Sequence, residues 1–415
     1  MAIFTFVPAY INKNLKPVQA LRLGVVFNIF CYSIMFIRAL FGSAKQDWGY
    51  SEFLLNYSEG FIRRGLTGTV LIKIYKIFGL DPYLFLTVVL GIILFLILII
   101  FYYLLKSTKV KSTTIIFLSA NPLLLNAPFL SVTMFRKDWL IILGLMLHAY
   151  YARLILLGKT STTKYIVFLV FLVFYSQAVI LTHEITILFL FIHLVLLKNV
   201  IHYFSNSEVK LIRRIYLVFI FLQSSTFIYL TINSGSPKQA SEIAKSISSI
   251  IELPNINPIL SFGNSPSSAI YNGDNVIYFA KNLLIYSVWF YVGPYLIYKV
   301  LRSSNPRTLF LCFFSTLPIL TLFLINGGDW GRWIVLLSFT IYILLISNWE
   351  IVDVTLNEKF KLTRLFELFP IDKSFFVVIF CFFVSLLFRV PVGNPASIAD
   401  IWSGIFEILF RHILI

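Results

Sequence analysis

Apolar runs of about 20 residues, long enough to cross a bilayer as helices, recur along nearly the whole of this 415-residue chain. No other feature constrains the fold as strongly. Hydrocarbon offers no partner for a backbone N–H or C=O, so such runs must satisfy their own hydrogen bonds, and the period-two alternation of barrel strands is absent. Eleven spans are read, roughly 20–42, 83–105, 113–131, 138–157, 165–182, 185–203, 215–232, 277–299, 308–326, 333–348 and 374–391, the third kinked or broken by Pro122 and Pro128. The predicted fold is all-α: one polytopic helical membrane domain over 1–415 with about 11 transmembrane helices and interfacial helices on the outer side. Charged residues make up 13% of the chain, against about 25% in a soluble domain.

The net charge is +16. In a soluble protein that would point to nucleic acid. Here no extramembrane basic segment is long enough to form such a surface, so nucleic acid is not an expected partner, and basic loops read as anchors against anionic lipid. With Lys13, Lys16 and Arg22 on the cytoplasmic side, every short inner loop is basic in the ordinary positive-inside way, which makes the N-terminus cytoplasmic. The start, MAIFTFVPAYINKNLKP, offers no small-residue cleavage site, so no cleavable signal peptide is expected. Cys31, Cys312 and Cys381 all sit in apolar runs, as packing residues do.

Three segments fall outside the spans on the outer side. Residues 43–82 form a first periplasmic segment in which LTGTVLIKIYKIF reads as an amphipathic helix lying in the interface. Residues 233–276 form a large periplasmic loop, whose SPKQASEIAKSISSIIEL reads as a short helix with a serine cap. Residues 392–415 carry Asp400, Glu407, Arg411 and His412, which favour an interfacial C-terminal helix over a span.

On that topology five polar clusters share the outer face: Asp47, Glu52, Glu59, Arg63 and Arg64 around EGFIRRGLTG; Arg136, Lys137 and Asp138 in FRKDW; His183 and Glu184 in THE; Asp329 and Arg332 in GGDWGRW; and Arg389. Positive-inside anchoring does not explain cations there, and polar residues at span ends are functional candidates. Each cluster alone also has a plain structural reading. Glu59 and Arg63, four apart, fit a surface ion pair on a helix, FRKDW fits a helix anchor, and Asp329 fits an N-cap. His183–Glu184 lacks the second histidine of a zinc site, so no metal is expected. His148 and His193, inside spans, read as packed core residues.

Taken together, the clusters suit a phosphate with a sugar attached. Arginines bind phosphate through planar, paired hydrogen bonds. A carboxylate can take a proton from a hydroxyl, and Trp48, Tyr50, Trp330 and Trp333 offer faces for a sugar. The constellation resembles bacterial integral-membrane glycosyltransferases of the GT-C type, and more specifically O-antigen polymerases of the Wzy type, in length, span count, Phe/Ile/Leu-rich composition and a long late outer loop. EGFIRRGLTG and GGDWGRW also look like motifs of proteins encoded with polysaccharide genes. The resemblance implies a metal-independent, cofactor-free enzyme of the bacterial inner membrane that polymerises undecaprenyl-diphosphate-linked oligosaccharides, with membrane lipid and a chain-length regulator protein as partners. It implies a diphosphate held by Arg63, Arg64, Arg136, Arg332 and Arg389, with Glu59 or Asp329 as base and Asp138, His183 and Glu184 in support. Two alternatives fit the same sequence: a GT-C transferase adding one sugar from a polyprenyl-phosphate donor, and a lipid-linked saccharide flippase or transporter. No internal repeat of the transporter kind is seen.

Overall fold

The computed structural model describes residues 17–41, 45, 48–107, 118–119, 121, 124, 134–253, 255–262, 314–322 and 330–347. Among the described residues the chain is all-helical, without a strand. The helices are α1 (Pro17–Leu40), α2 (Trp48–Phe53), α3 (Leu66–Phe78), α4 (Pro82–Lys106), α5 (Asp138–Leu156), α6 (Thr162–Thr182), α7 (Leu190–Val200), α8 (Asn206–Ile232), α9 (Pro237–Ser248), α10 (Asn257–Ser261) and α11 (Trp330–Ser347). A tight three-residue-per-turn segment, Glu184–Phe189, leads into α7.

The helix starts follow from local chemistry. Asp81 accepts from Tyr83 N with Pro82 in the first turn of α4, Ser161 caps α6 through Lys164 N, and Ser205 and Glu208 form a reciprocal capping box on α8. Each cap satisfies donors that the first turn leaves without an internal partner. Gly79 ends α3 in the left-handed conformation that glycine adopts without a Cβ clash.

Six helical segments are long and apolar enough to cross a membrane: Val18–Leu40, Pro82–Lys106, Asp138–Leu156, Thr162–Thr182, Glu184–Tyr203 and Asn206–Ile232. They coincide with six of the spans read from the sequence, and α11 coincides with a seventh. The spans near 113–131, 277–299, 308–326 and 374–391, the loop beyond 262 and the tail 392–415 lie wholly or largely outside the described residues. Val26, Phe30, Ile99, Phe174, Leu217 and Phe221 are exposed. Large apolar side chains facing outward on helix after helix make the kind of surface a bilayer covers.

At the centre stands α5, which packs against α4, α6, α7 and α11. The main apolar core includes Phe101, Leu145, Met146, Phe339 and Tyr342, and a second cluster fills the space among α5, α6, α7 and α8. The positions that matter for chemistry lie together in this frame: the start of α5, the end of α6, the start of α11, and the loop before α3.

Candidate functional site

The loop between α2 and α3 is shaped by close approach. A Cβ at Gly68 would run into the carbonyls of Leu54 and Leu55, and one at Gly65 into the Tyr57 ring. The room these glycines make is filled by the chain itself. The loop then turns sharply, with Gly60 at φ 99° and Arg64 at φ 65°. Arg64 is the one non-glycine residue with positive φ among the described residues, a conformation that costs an L-residue about 1–2 kcal/mol.

Something must hold Arg64 there, and two carboxylates do. Its Nε and Nη2 donate to the two oxygens of Glu184 at 2.6 and 2.7 Å, and its Nη1 donates to Glu52 Oε1 at 2.7 Å. Lys137 Nζ donates to the Glu52 carbonyl oxygen at 3.1 Å and lies 3.6 Å from Glu52 Oε1. Arg63 Nη1 lies 3.6 Å from Glu184 Oε1, beyond hydrogen-bonding distance, and the buried Arg63 Nε has no partner among the described residues. The Phe262 ring lies beside both guanidiniums, 5.2 Å from Arg63 Cζ and 4.8 Å from Arg64 Cζ, within the range of cation–π attraction.

A second group adjoins the first. Arg332 Nε donates to Asp138 Oδ2 at 2.5 Å and its Nη2 to Asp138 Oδ1 at 2.9 Å. The same Nη2 contacts His183 Nε2. His183 Nε2 also lies 3.3 Å from Asp138 Oδ1, and its Nδ1 lies 3.9 Å from Glu184 Oε2, so the ring bridges the two carboxylates. The Trp333 ring sits 4.6 Å from Arg332 Cζ. Eight side chains from five stretches of sequence thus form one charge cluster, with Glu52, Lys137, Asp138, His183 and Arg332 buried and Arg63, Arg64 and Glu184 partly exposed.

The electrostatics follow from burial and pairing. Burial alone would raise the Glu52 carboxyl, but Lys137 and Arg64 beside it hold it well below the usual carboxylate range. Burial pushes Lys137 down to about 8 against the pull of Glu52. Burial would also lower Arg64, but Glu184 and Glu52 outweigh it and raise it. Arg63 is lowered, first by burial and further by Arg64, with Glu184 opposing incompletely. The cluster therefore holds fixed charges and stabilises an anion better than it removes a proton: a carboxylate locked below its usual range is a weak base.

Of the residues singled out from sequence, Arg63, Arg64, Asp138, His183, Glu184 and Arg332 come together. Glu59 is exposed on the turn before the arginines, and its carbonyl oxygen, like that of Phe61, accepts from Gln239 Nε2. The partner of Arg63 is Glu184, not Glu59. Segment 59–65 is not helical, so a spacing of four does not align the two side chains. Arg136 is half-buried before α5. Tyr50 is buried against Tyr83 and Phe135, Trp333 is buried against Arg332, and Trp48 is exposed. Asp329, Arg389 and the Trp330 side chain lie outside the described residues.

Two further charged members of the sequence clusters, Glu52 and Lys137, belong to the site. Lys137 adjoins Asp138 in sequence and Glu52 lies two residues after Tyr50, and their mutual contact links α2 to the start of α5. Phe262 carried no signal in sequence, being one aromatic among many. Among the described residues no group of three or more His, Cys, Asp or Glu side chains is placed to hold a metal.

The class defined by fold and site is an all-helical protein with several apolar helices of membrane-crossing length and a largely buried, cation-rich cluster where those helices end. Compared with protein-family models, with curated proteins and with solved structures, the chain matches none.

Proposed function

We propose that the protein is an integral-membrane glycosyltransferase that polymerises undecaprenyl-diphosphate-linked oligosaccharide units at the outer face of a bacterial inner membrane, for O-antigen or a related surface polysaccharide. The observation that carries this reading is the convergence of Arg63, Arg64, Lys137 and Arg332, with His183, into one cluster at a shared end of apolar helices. Fixed cations beside lipid-facing helices suit an anion whose tail stays in the bilayer.

In this reading about eleven spans cross the membrane, the N-terminus is cytoplasmic, and α3 and the tail lie in the outer interface. The acceptor hydroxyl gives its proton to Glu59 or Asp329 and attacks the anomeric carbon. The bond from that carbon to the diphosphate breaks, and the cation cluster stabilises the charge that grows on the departing diphosphate. No metal or nucleotide takes part, and a chain-length regulator is a natural partner. A second reading, transfer of one sugar from a polyprenyl monophosphate, gains weight because among the described members of the cluster the under-partnered guanidinium is Arg63.

The products distinguish the two. In a strain carrying Glu59→Gln or Arg64→Ala, with the protein still inserted, long-chain polysaccharide should be lost from the electrophoretic ladder. Normal ladders in both variants would remove the site assignment, and a wild-type product just one sugar larger would select the second reading.

A further inference from the structure

Arg63 and Arg64 are neighbours in sequence with opposite situations. Arg64 directs three donor nitrogens at Glu184 and Glu52, and its side chain is 14% exposed. Arg63 has five N–H donors and no acceptor at hydrogen-bonding distance among the described residues, with its Nε fully buried. Buried donors are nearly always paired, and an orphan costs about 1–3 kcal/mol. The Phe262 ring accepts charge through its face but no conventional hydrogen bond, so it leaves the in-plane donors unsatisfied. The Arg63 side chain is 18% exposed, close to the 14% of Arg64, so the two differ in their partners rather than in their burial.

We propose that the two arginines divide the work: Arg63 is the residue that grips a phosphoryl group of the substrate, while Arg64 is a positioning residue whose ion pairs with Glu52 and Glu184 hold the loop in the left-handed turn that presents Arg63. This rests on the lipid-linked phosphate reading of the site. A guanidinium edge carries two parallel donors that match two oxygens of a phosphate. Arg64 cannot offer its edge without releasing Glu184, which would leave a half-buried carboxylate short of its main partner. Arg63 can bind without breaking any hydrogen bond. The strained φ of Arg64 persists because two acids over-determine it, as strain at working sites generally requires.

The test uses the full-length protein in detergent micelles, with farnesyl diphosphate, farnesol and inorganic pyrophosphate as probes. Dissociation constants, the phosphorus resonance of bound farnesyl diphosphate and the unfolding temperature are measured. Arg63→Gln should weaken farnesyl diphosphate about 10- to 100-fold, the worth of a charged hydrogen-bond pair, with an unfolding temperature no lower than wild type. Arg64→Gln should lower the unfolding temperature and, at temperatures where the variant is fully folded, displace the bound phosphorus resonance, which a residue that merely supports the fold would not do. Unchanged affinity in Arg63→Gln, failure of that variant to fold, or no binding of either phosphate by wild type overturns the division. So does loss of binding in Arg64→Gln at an unchanged unfolding temperature. Pyrophosphate binding as tight as farnesyl diphosphate, both dependent on Arg63, would uphold the division and refute the lipid-linked donor.

Discussion

At the scale of single residues, Lys137 has the most consequential environment. It is 2% exposed, close to Glu52, with Arg64 and Glu184 also acting on it, and burial brings its ammonium down to about 8 from an ordinary value of 10.5. Between those two pH values the unfolded chain holds the lysine proton and the folded chain has lost it. The unfolded state binds more protons there, so stability rises with pH across the window, by about 1.4 kcal/mol for each step of one in pH. Below about 8 both states are protonated and the burial penalty is constant. The unfolding temperature of wild type relative to Lys137→Met should therefore climb between pH 8 and pH 10 and run parallel below. A parallel course throughout would show that Lys137 is not desolvated as placed. The sequence marked Lys137 as part of FRKDW but not as the partner of Glu52. That pairing depends on α2 returning Glu52 to the start of α5, and a six-residue helix leaves little periodicity to read.

At the scale of elements, the helices best marked in sequence are those that begin with a cap. Ser236 accepts from Gln239 N at 3.2 Å with Pro237 following, as the string SPKQ indicates. The same turn does a second job that the string does not show. Gln239 Nε2 donates to the carbonyl oxygens of Glu59 and Phe61, each at 3.0 Å, so the start of α9 pins the loop that carries Arg63 and Arg64. Ser236→Ala should cost about 1 kcal/mol, read as a fall in unfolding temperature. Gln239→Ala should cost less stability but increase hydrogen exchange at residues 59–62, because it frees two loop carbonyls. Equal exchange there would mean the loop is held by its own turn alone. His148 and His193 follow the same pattern of partial legibility. Their positions inside apolar spans mark them as core. That their Nδ1 atoms meet at 2.9 Å, with Tyr165 3.0 Å from His148 Nε2, depends on how α5, α6 and α7 rotate against one another.

At the scale of the whole molecule, side chains from four of the polar clusters meet in the described structure, and counting alternating spans leads one to expect them at a common end. Which acid meets which cation does not follow, because pairing is set by the height and rotation of helices far apart in sequence. Asp138 and Arg332 show the point: each stood in its own cluster, and together they tie α5 to α11 at 2.5 and 2.9 Å with both side chains buried. A buried pair is weak evidence of net stabilisation, since desolvation offsets attraction, yet removing one partner strands the other. Arg332→Met should therefore cost about 3–5 kcal/mol, and so should Asp138→Asn, which removes the carboxylate that accepts from Arg332 Nε and Nη2. The double variant should recover a large part of either loss, since no stranded charge remains, giving a coupling well beyond the few tenths of a kcal/mol expected of independent sites. The cycle is measured by denaturant titration in micelles. Additive losses would mean that α11 is not seated on α5 through this pair, and with it would go the junction of the Arg332 group to His183 and Glu184. On the proposed glycosyltransferase reading, a large coupling in a double variant that still fails to extend polysaccharide would mean that the pair does more than close the bundle, and that Arg332 also supplies charge to the cluster.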